Sequence, residues 1–175
     1  KYIAHGESLG IHKGYKTGIR NDWFVVPSLK ISDALFIRRN NLYPRLIINE
    51  AEAYTTDTMH RVFVKPDTDI KALTASYYNS LSLAFTEVSG RSHGGGVLEL
   101  MPNEAERVLL PYHKDNALLL PKIDKLIRDK TKIEEVLKIT NQIILKGHFG
   151  LTQKEIKLAH SIWKKLSYRR LNRGK

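Results

Sequence analysis

The sequence of 175 residues contains no cysteine, which excludes disulfide bonds and thiolate metal ligands. It has no apolar run of eighteen residues and no recognisable signal peptide, so no membrane association is expected. Three enzyme motifs are also absent: Gly-x-Ser-x-Gly, His-Glu-x-x-His and a glycine-rich loop that ends in Gly-Lys-Ser/Thr. We therefore expect no catalytic, cofactor or metal site within this chain. Because it begins at Lys1 and not at Met, the sequence is expected to be part of a longer protein.

Acidic residues are few compared with basic ones. Lysine and arginine number 29 against 18 aspartates and glutamates, which gives a net charge of +11 and a pI near 9.8. The two most basic stretches contain Lys13, Lys16, Arg20, Lys30, Arg38, Arg39 and Arg45, and then Lys164, Lys165, Arg169, Arg170, Arg173 and Lys175. This distribution favours a surface that follows a phosphate backbone, although a basic terminus taken alone is often only a solvated end.

Sequence patterns predict a mixed fold. Runs of β-branched and aromatic residues bounded by Pro, Asn or Gly predict short strands. They cover residues 23–27, 34–39, 45–49, 53–55 and 58–64, with a final strand or extended segment at 108–112. From Thr68 the apolar spacing changes to three and four residues, which predicts one long helix to about Glu87. Asp67 and Asp69 are interpreted as caps of this helix and not as nuclease carboxylates.

The last third of the chain is predicted to be helical. Thr131 and Thr152 each precede a glutamate by three residues, which is the spacing of an N-terminal capping box. The expected fold is therefore of the α+β class. It consists of a mixed, strand-rich lobe over residues 1–112 with one long central helix, followed by a helical C-terminal segment over residues 113–175.

The glycine-rich segment Gly90–Gly96 separates the long helix from the next apolar run. Glycine reaches positive φ and lets another backbone approach closely, so this segment is predicted to be a loop. It carries Arg91, Ser92 and His93, followed by Gly94, Gly95 and Gly96. A loop of this composition either makes a tight turn or contacts another molecule, and both interpretations are open at this point.

A second polar cluster lies at the entry of a predicted strand. Thr56, Thr58, His60 and Arg61 follow one another around Asp57. Taken singly, they are ordinary turn and strand residues, with Asp57 bonding its own backbone. Taken together, their hydroxyl, imidazole and guanidinium groups suit phosphate oxygens and base edges. The two interpretations stand about even.

Several short motifs occur in a fixed order along the first two-thirds of the chain. They are Gly14-Tyr15-Lys16, Arg20-Asn21-Asp22-Trp23-Phe24-Val25-Val26-Pro27, Tyr43-Pro44-Arg45-Leu46-Ile47-Ile48-Asn49, Thr56-Asp57-Thr58-Met59-His60-Arg61, Tyr77-Tyr78-Asn79-Ser80, Gly90-Arg91-Ser92-His93-Gly94-Gly95-Gly96, Pro102-Asn103-Glu104 and Leu110-Pro111. In this order they resemble the C-terminal target recognition domain of bacterial adenine-specific (N6) DNA methyltransferases, the gamma-type enzymes of restriction–modification systems. The resemblance covers approximately residues 10–112. One departure is His93, where relatives often have Tyr.

The resemblance implies a division of labour between two domains. In that family, an N-terminal Rossmann-like domain binds S-adenosylmethionine and holds the flipped adenine with an Asn/Asp-Pro-Pro-Tyr/Phe motif. No two prolines are adjacent in this sequence, so we expect the chain to be the DNA-reading part, without cofactor and inactive by itself. Its expected partners are double-stranded DNA and the N-terminal catalytic domain, in the bacterial cytoplasm.

The resemblance also implies which residues contact DNA. Three sets of DNA-binding residues are expected. The first is Lys13, Lys16 and Arg20 at phosphates, together with Tyr15; the second is Thr56, Thr58, His60 and Arg61; the third is Arg91, Ser92 and His93 with the backbone of Gly94, Gly95 and Gly96. The alternative is a non-catalytic specificity subunit or a stand-alone DNA-binding protein, whose sequence would look alike. A third interpretation is a structural domain of a larger complex that is basic only for solubility.

Overall fold

The structure, a computed structural model, describes residues 1–26 and 29–173. Its contacts group the chain into two compact units, Lys1–Ile31 and Ser32–Lys175. The expected boundary at residue 112 therefore lies inside the second unit. Among the described residues, no helix is both long enough and apolar enough to cross a membrane.

The first unit is helical with an aromatic centre. Its elements are helix α1 (Tyr2–Ser8), a 3₁₀ turn (Ile11–Lys13) and helix α2 (Tyr15–Gly18). The ring of Trp23 lies so close to Gly6 that a Cβ atom there would come within 2.4 Å of it. Trp23 Nε1 donates to the carboxylate of Glu7 over 3.3 Å. The small size of Gly6 and the indole of Trp23 thus hold this segment together.

The strand predicted for residues 23–27 is wrong over its described part. Phe24, Val25 and Val26 are 48%, 49% and 57% exposed and form a turn, a bend and an irregular position in that order. Neither sheet formed by the described residues contains a strand that pairs with them, so their β propensity has no ladder to join. Pro27, the last residue of that prediction, lies outside the described residues.

The described residues of the second unit, 32–173, form six short strands in two antiparallel sheets. The strands are β1 (Ala34–Ile37), β2 (Arg39–Asn40), β3 (Leu46–Ile48), β4 (Met59–Val62), β5 (Arg91–Ser92) and β6 (Leu98–Glu99). Their orders are β3-β1-β4 and β2-β6-β5. The strands predicted around β1, β3 and β4 are therefore confirmed. Residues 53–55 form no strand, and residues 108–112 form an irregular segment.

Alternation along β1 decides which side chains reach the core. Phe36 is buried, and the register places it opposite Leu46 on β3 and His60 on β4. Successive side chains of a strand point to opposite faces, so Arg61 lies on the other face, opposite Leu35. His60 and Arg61, which are neighbours in sequence, therefore lie on different sides of the sheet.

The single long helix is not confirmed, because two helices stand in its place. Helix α3 spans Ile70–Tyr77 and helix α4 spans Ser80–Ser89. Between them, Asn79 has extended backbone angles of φ −147° and ψ 165°, and its side-chain oxygen accepts from the amides of Leu81 and Ser82. Asn79 therefore begins a new helix, and the apolar spacing carries no sign of this break.

Four further helices complete the second unit. They are α5 (Pro102–Ala105), α6 (Leu120–Arg128), α7 (Ile133–Thr140) and α8 (Gln153–Leu171), with a 3₁₀ helix at Lys114–Leu119 and a π-helix at Asn141–His148. Thr152 forms the predicted capping box of α8, and Asp69 caps α3 as predicted. The capping box at Thr131 is wrong, because α7 has Lys132 at its N-cap and no side-chain cap there.

One hydrophobic core joins the strands and helices of the second unit. Its largest fully buried apolar side chains are Tyr77, Leu83, Leu98, Leu100, Val136, Leu137, Ile144 and Leu145. Helix α8 packs along α4 and contributes Trp163, which is only 3% exposed. The strand-rich and helical parts thus bury their apolar faces against each other, and the α+β class is confirmed.

Replacement of Asn79 by Ala is expected to lower the free energy of unfolding by at least about 2 kcal/mol, because a helix cap is lost and buried groups lose partners. Its Nδ2 donates to Ser76 O and Ser82 Oγ, and the residue is fully buried. Urea unfolding measures the change. Asp69→Ala, which removes an exposed N-cap, is the matched control and should cost less. Equal losses in the two variants would contradict the special role of Asn79.

Candidate nucleic-acid interface

The glycine-rich segment forms a small hairpin. Strand β5 pairs with β6, and the amide of His93 donates to Val97 O over 2.8 Å to close the turn. Gly95 and Gly96 have φ of 69° and 74°, a region that side chains other than glycine rarely adopt. A Cβ atom at Gly94 or Gly95 would meet nothing within 4 Å. The tip of the hairpin is therefore open to the approach of another molecule.

The base of the hairpin is held by the end of α8. A Cβ atom at Gly96 would lie 3.1 Å from Leu171 Cα, so only glycine fits this approach without displacement. Arg170 donates to the carbonyl oxygen of Gly96 and to that of Asn41, the latter over 2.6 Å. Gly96 is thus required for packing, whereas Gly94 and Gly95 are exposed.

Arg170 is buried and does not contribute to the exposed basic surface. Its guanidinium forms a two-point ion pair with Glu87 on α4, with Nε–Oε2 and Nη2–Oε1 distances of 3.0 and 2.6 Å. The two side chains are 2% and 4% exposed. The expectation that Arg170 belongs to a phosphate-facing basic stretch is wrong, because Glu87 neutralises its charge inside the fold.

Arg91, on strand β5 of the hairpin, forms an ion pair with Glu104. Its Nε is 2.6 Å from Glu104 Oε1, and its side chain is 60% exposed. The other oxygen of Glu104 accepts from the amide of Met101 at the start of α5. The backbone amide of Met101 and then the guanidinium of Arg91 hold the pKa of Glu104 below its usual range. Glu104 orients Arg91 without covering it.

Glu99 gathers three cationic or ionisable side chains at the back of the hairpin. Arg39 Nε and Arg38 Nη2 lie 2.8 and 2.9 Å from its Oε1, and His93 Nε2 lies 2.8 Å from its Oε2. The hydrogen bond from Arg39 is the main cause that lowers the pKa of Glu99, against the opposing effect of burial. The carboxylate therefore stays ionised and holds the half-exposed His93 in one orientation.

A basic cleft lies beside the hairpin. It has a volume of about 210 Å³. Its walls come from the hairpin and from the end of α8, and the lining residues are Glu87, Gly90, Ser92, Leu98, Leu166, Arg169, Arg170 and Arg173. Arg169 and Arg173 are exposed, while Glu87 and Arg170 neutralise each other. The cleft thus presents the positive charge of Arg169 and Arg173 next to Ser92.

The second predicted set is divided by the sheet. His60 Nε2 donates to Leu100 O over 2.6 Å, since a carbonyl oxygen can only accept, and its ring stacks on Phe36. Thr56 and Thr58 are exposed and share a hydrogen bond of 3.0 Å, and Arg61 is exposed on the opposite face of β4 from His60. The structure does not bring these four side chains to one surface.

Arg38 connects the turn at Asp57 and Thr58 to the hairpin. Its Nη1 donates to Asp57 O over 3.4 Å, while its Nη2 reaches Glu99 and Met101 Sδ. Thr56 and Thr58, which flank Asp57, are therefore linked to His93 through Arg38 and Glu99. A sequence signal for this link is Glu99 itself, because an acid inside an apolar run indicates a buried charge pair.

The first predicted set belongs to the first unit. Lys13, Tyr15 and Lys16 are exposed, Tyr15 at 84%, and Arg20 is half-buried with its Nη1 donating to Val25 O over 3.3 Å. Three of these side chains are thus available for contact within that unit, and the fourth is partly occupied by its own backbone.

The chain was compared with protein-family models, with curated proteins and with solved structures. A family model described as the C-terminal domain of the type II methyltransferase M.Eco57I matches residues 1–145. No curated protein and no solved structure matches the chain.

Stability is expected to depend on the ionisation of Glu99 at acid pH. Because the folded state lowers the pKa of this carboxyl from 4.5, its ion pairs stabilise the fold above that value and are lost as the pH falls through the folded pKa. Glu99→Gln should therefore be less stable than the parent at pH 7, and the difference should narrow below about pH 4.5. Urea midpoints between pH 7 and 3 measure it. Exposed Glu106→Gln is the control, and a Glu99→Gln difference that is constant with pH would contradict the assignment.

Proposed function

Because the chain belongs to the family of C-terminal domains of type II methyltransferases, we propose that it reads the DNA target of a restriction–modification enzyme that methylates adenine at N6. In this proposal, the chain binds duplex DNA and positions it for a catalytic domain that lies N-terminal to it in the same protein. Membership of the family identifies the parent protein as a type II methyltransferase. That this chain binds DNA and that the methylated base is adenine are our proposals.

The observation that carries the proposal is the open glycine hairpin beside the basic cleft. Arginine binds phosphate as well as guanine through a planar fork of donors. Arg91 is exposed on strand β5 of the hairpin, and Arg169 and Arg173 line the cleft beside it. Gly94 and Gly95 have no side chains and open space beside them, so the edge of a DNA groove could approach their backbone. Cationic groups and bare backbone on one surface suit a polyanionic, grooved ligand.

The proposed roles follow from how each side chain is held. Arg91, oriented by Glu104, would read a base edge, while Ser92, His93 and the amides of Gly94–Gly96 approach the groove or backbone. Arg169 and Arg173 would contact phosphates. These contacts fix the register of the duplex and give salt-dependent affinity.

The other predicted residues take supporting roles in the proposal. Thr56 and Thr58, in the segment before β4, and Arg61, on β4 itself, would supply further contacts. His60 is occupied by Leu100 O and would act by holding β4 against the end of β6. Lys13, Tyr15, Lys16 and Arg20 would form a phosphate-contacting set in the first unit.

Methylation requires the target base to leave the duplex, because its reacting atom is out of reach inside the stack. The proposed division is that this chain holds the flanking duplex and the N-terminal domain receives the flipped adenine. Both domains would act where bacterial DNA is, in the cytoplasm.

The methyl donor S-adenosylmethionine would bind in the N-terminal domain, and the basic cleft of this chain does not fit it. S-adenosylmethionine carries two cationic groups, a sulfonium and an ammonium, against one carboxylate, so its net charge is positive, whereas the exposed charges of the cleft are the cations of Arg169 and Arg173. Both carboxylate oxygens of Glu87 already accept from Arg170. In this proposal the chain contributes binding and orientation, and the chemical step belongs to the N-terminal domain.

The alternative is a specificity subunit or a stand-alone DNA-binding protein that lacks its own catalytic domain. The hairpin and cleft would support it equally, and no two prolines are adjacent in the 175 residues. The two functions differ in what the polypeptide carries upstream. An Asn/Asp-Pro-Pro-Tyr/Phe motif there supports the methyltransferase, and its absence from the complete protein supports the specificity subunit.

Arg91→Ala in the full-length methyltransferase is expected to lower kcat/KM on the recognised duplex by roughly tenfold, within the ~1–3 kcal/mol of a bidentate base contact. It should also relax discrimination at one position of the site. Methylation of duplexes that carry each single-base change measures both effects. Arg128→Ala is the matched control, since Arg128 is an exposed arginine paired with Asp124 on α6. Unchanged discrimination at every position would remove Arg91 from base reading.

The double substitution Arg169→Ala and Arg173→Ala is expected to weaken binding to all duplexes alike. Each lost phosphate contact should reduce the slope of log affinity against log salt by about 0.9. Gel-shift titrations at several salt concentrations measure the slope, again with Arg128→Ala as the control. A slope equal to that of the parent protein would show that the cleft does not face the phosphate backbone.

A further inference from the structure

A second cluster of ionisable side chains lies in the second unit and takes no part in the interface described above. The nitrogen or oxygen donors of His113, Asp115 and His148 all lie within 4.8 Å of one another. The rings of His113 and His148 are 4.4 Å apart between centroids. His113 Nδ1 and Asp115 Oδ2 are separated by 3.7 Å. Three groups that commonly bind transition metals thus converge from two distant parts of the chain.

Local structure places each donor. His113 is the N-cap of the 3₁₀ helix Lys114–Leu119, and its Nδ1 accepts from the amide of Asp115 over 3.3 Å. This bond is long and therefore weak, and Nδ1 gives it up when it binds an ion. Asp115 lies in the first turn of that helix. His148 is the last residue of the π-helix Asn141–His148. The core brings the end of one helix against the start of the other, so the three donors meet at the surface.

A buried asparagine fixes the tautomer of His148. Asn116 is fully buried, and its Nδ2 donates to Ser76 Oγ and Pro111 O over 2.8 and 3.0 Å. Since Pro111 O can only accept, the amide orientation of Asn116 is set, and its Oδ1 must be an acceptor. His148 Nδ1 lies 2.7 Å from this Oδ1 and therefore carries the proton. The lone pair of His148 is then on Nε2.

This arrangement is the one that a metal-binding histidine requires. A ligating imidazole usually donates its other N–H to a fixed acceptor, which sets the ring orientation and makes the ligand nitrogen more basic. Zn²⁺ binds histidine nitrogen at about 2.0–2.1 Å and carboxylate oxygen at about 2.0–2.2 Å, which separates ligand atoms by roughly 3.4 Å in a tetrahedron. The 3.7 Å between His113 Nδ1 and Asp115 Oδ2 is close to this separation, and all three donors lie within 4.8 Å of one another. Two imidazoles and one carboxylate favour Zn²⁺ over Ca²⁺ and Mg²⁺, which prefer oxygen ligands.

We propose that His113, Asp115 and His148 bind a divalent zinc-type ion, with Asn116 as the positioning residue of His148. The ion joins the start of the 3₁₀ helix to the end of the π-helix, and so closes the segment that contains α6 and α7. Because these residues are far apart in an unfolded chain, the ion binds the folded state and raises its stability. This site is independent of the proposed DNA contacts.

The experiment titrates the untagged 175-residue chain with Zn²⁺ by calorimetry, and with Co²⁺ by its visible absorption. One ion per chain is expected, with an affinity that falls at least tenfold in His113→Gln and in Asp115→Asn. Both side chains are exposed, so the fold should survive, and circular dichroism checks that it does. The matched control is His5→Gln, an exposed histidine in the first unit.

A second readout separates metal binding from nonspecific association. Zn²⁺ should raise the unfolding temperature of the parent and of His5→Gln, and should raise it much less in the two site variants. The proposal is overturned if the parent binds no ion, or if the site variants bind Zn²⁺ as tightly as the parent and His5→Gln do.

Discussion

Arg170 is the side chain on which the arrangement of the second unit depends. Its guanidinium sits at the end of α8 and bonds Glu87 on α4, the carbonyl of Asn41 and the carbonyl of Gly96. One buried group therefore fixes a helix pair, a strand connection and the glycine hairpin together. Removing one partner of such a buried ion pair leaves the other charge uncompensated and costs on the order of 3–5 kcal/mol. The position of the hairpin beside the cleft follows from this contact.

The net charge of the chain does not translate directly into a basic surface. Arg38 and Arg39 are paired with Glu99, and Lys164 lies 2.5 Å from Glu134. These pairs use basic residues to hold strands and helices in register. Arg169 and Arg173 differ, because they line an accessible cleft next to the hairpin. Pairing alone does not remove a cation from the surface, because the paired side chains of Arg39 and Arg91 stay 63% and 60% exposed. Burial does remove it, as it does for Arg170.

The parts of the fold that depend on local signals could be predicted. The strands around Phe36, Leu46 and His60 were readable from alternation and turn residues, and Asp69 and Thr152 were readable as helix caps. The predictions that failed depended on long-range partners. Residues 23–26 have strand propensity without a strand to pair with, and Asn79 interrupts a regular apolar stripe by capping α4. Thr131 has the spacing of a cap, but α7 begins with a different residue at its N-cap.

For the candidate site too, some features could be predicted from the sequence and others could not. Its glycines and charged residues could be found from the sequence, because loop composition and charge are local properties. The partners of those residues could not: Glu104 for Arg91, Glu99 for His93, and Leu100 O for His60 are each set by contacts between separate elements. The convergence of His113, Asp115 and His148 also has no sequence signal, since their spacing matches no common metal motif.

The sequence by itself determined the α+β class, the open glycine segment and the family to which the chain belongs. These rest on residue types and short spacings that do not depend on what lies opposite. Only the tertiary structure decided which charges are exposed. Arg169 and Arg170 are adjacent and carry the same guanidinium group. Arg170 is buried because Glu87 and two carbonyl oxygens bind it, whereas Arg169 stays exposed. Burial and pairing are properties of three-dimensional neighbours, and no local pattern encodes them.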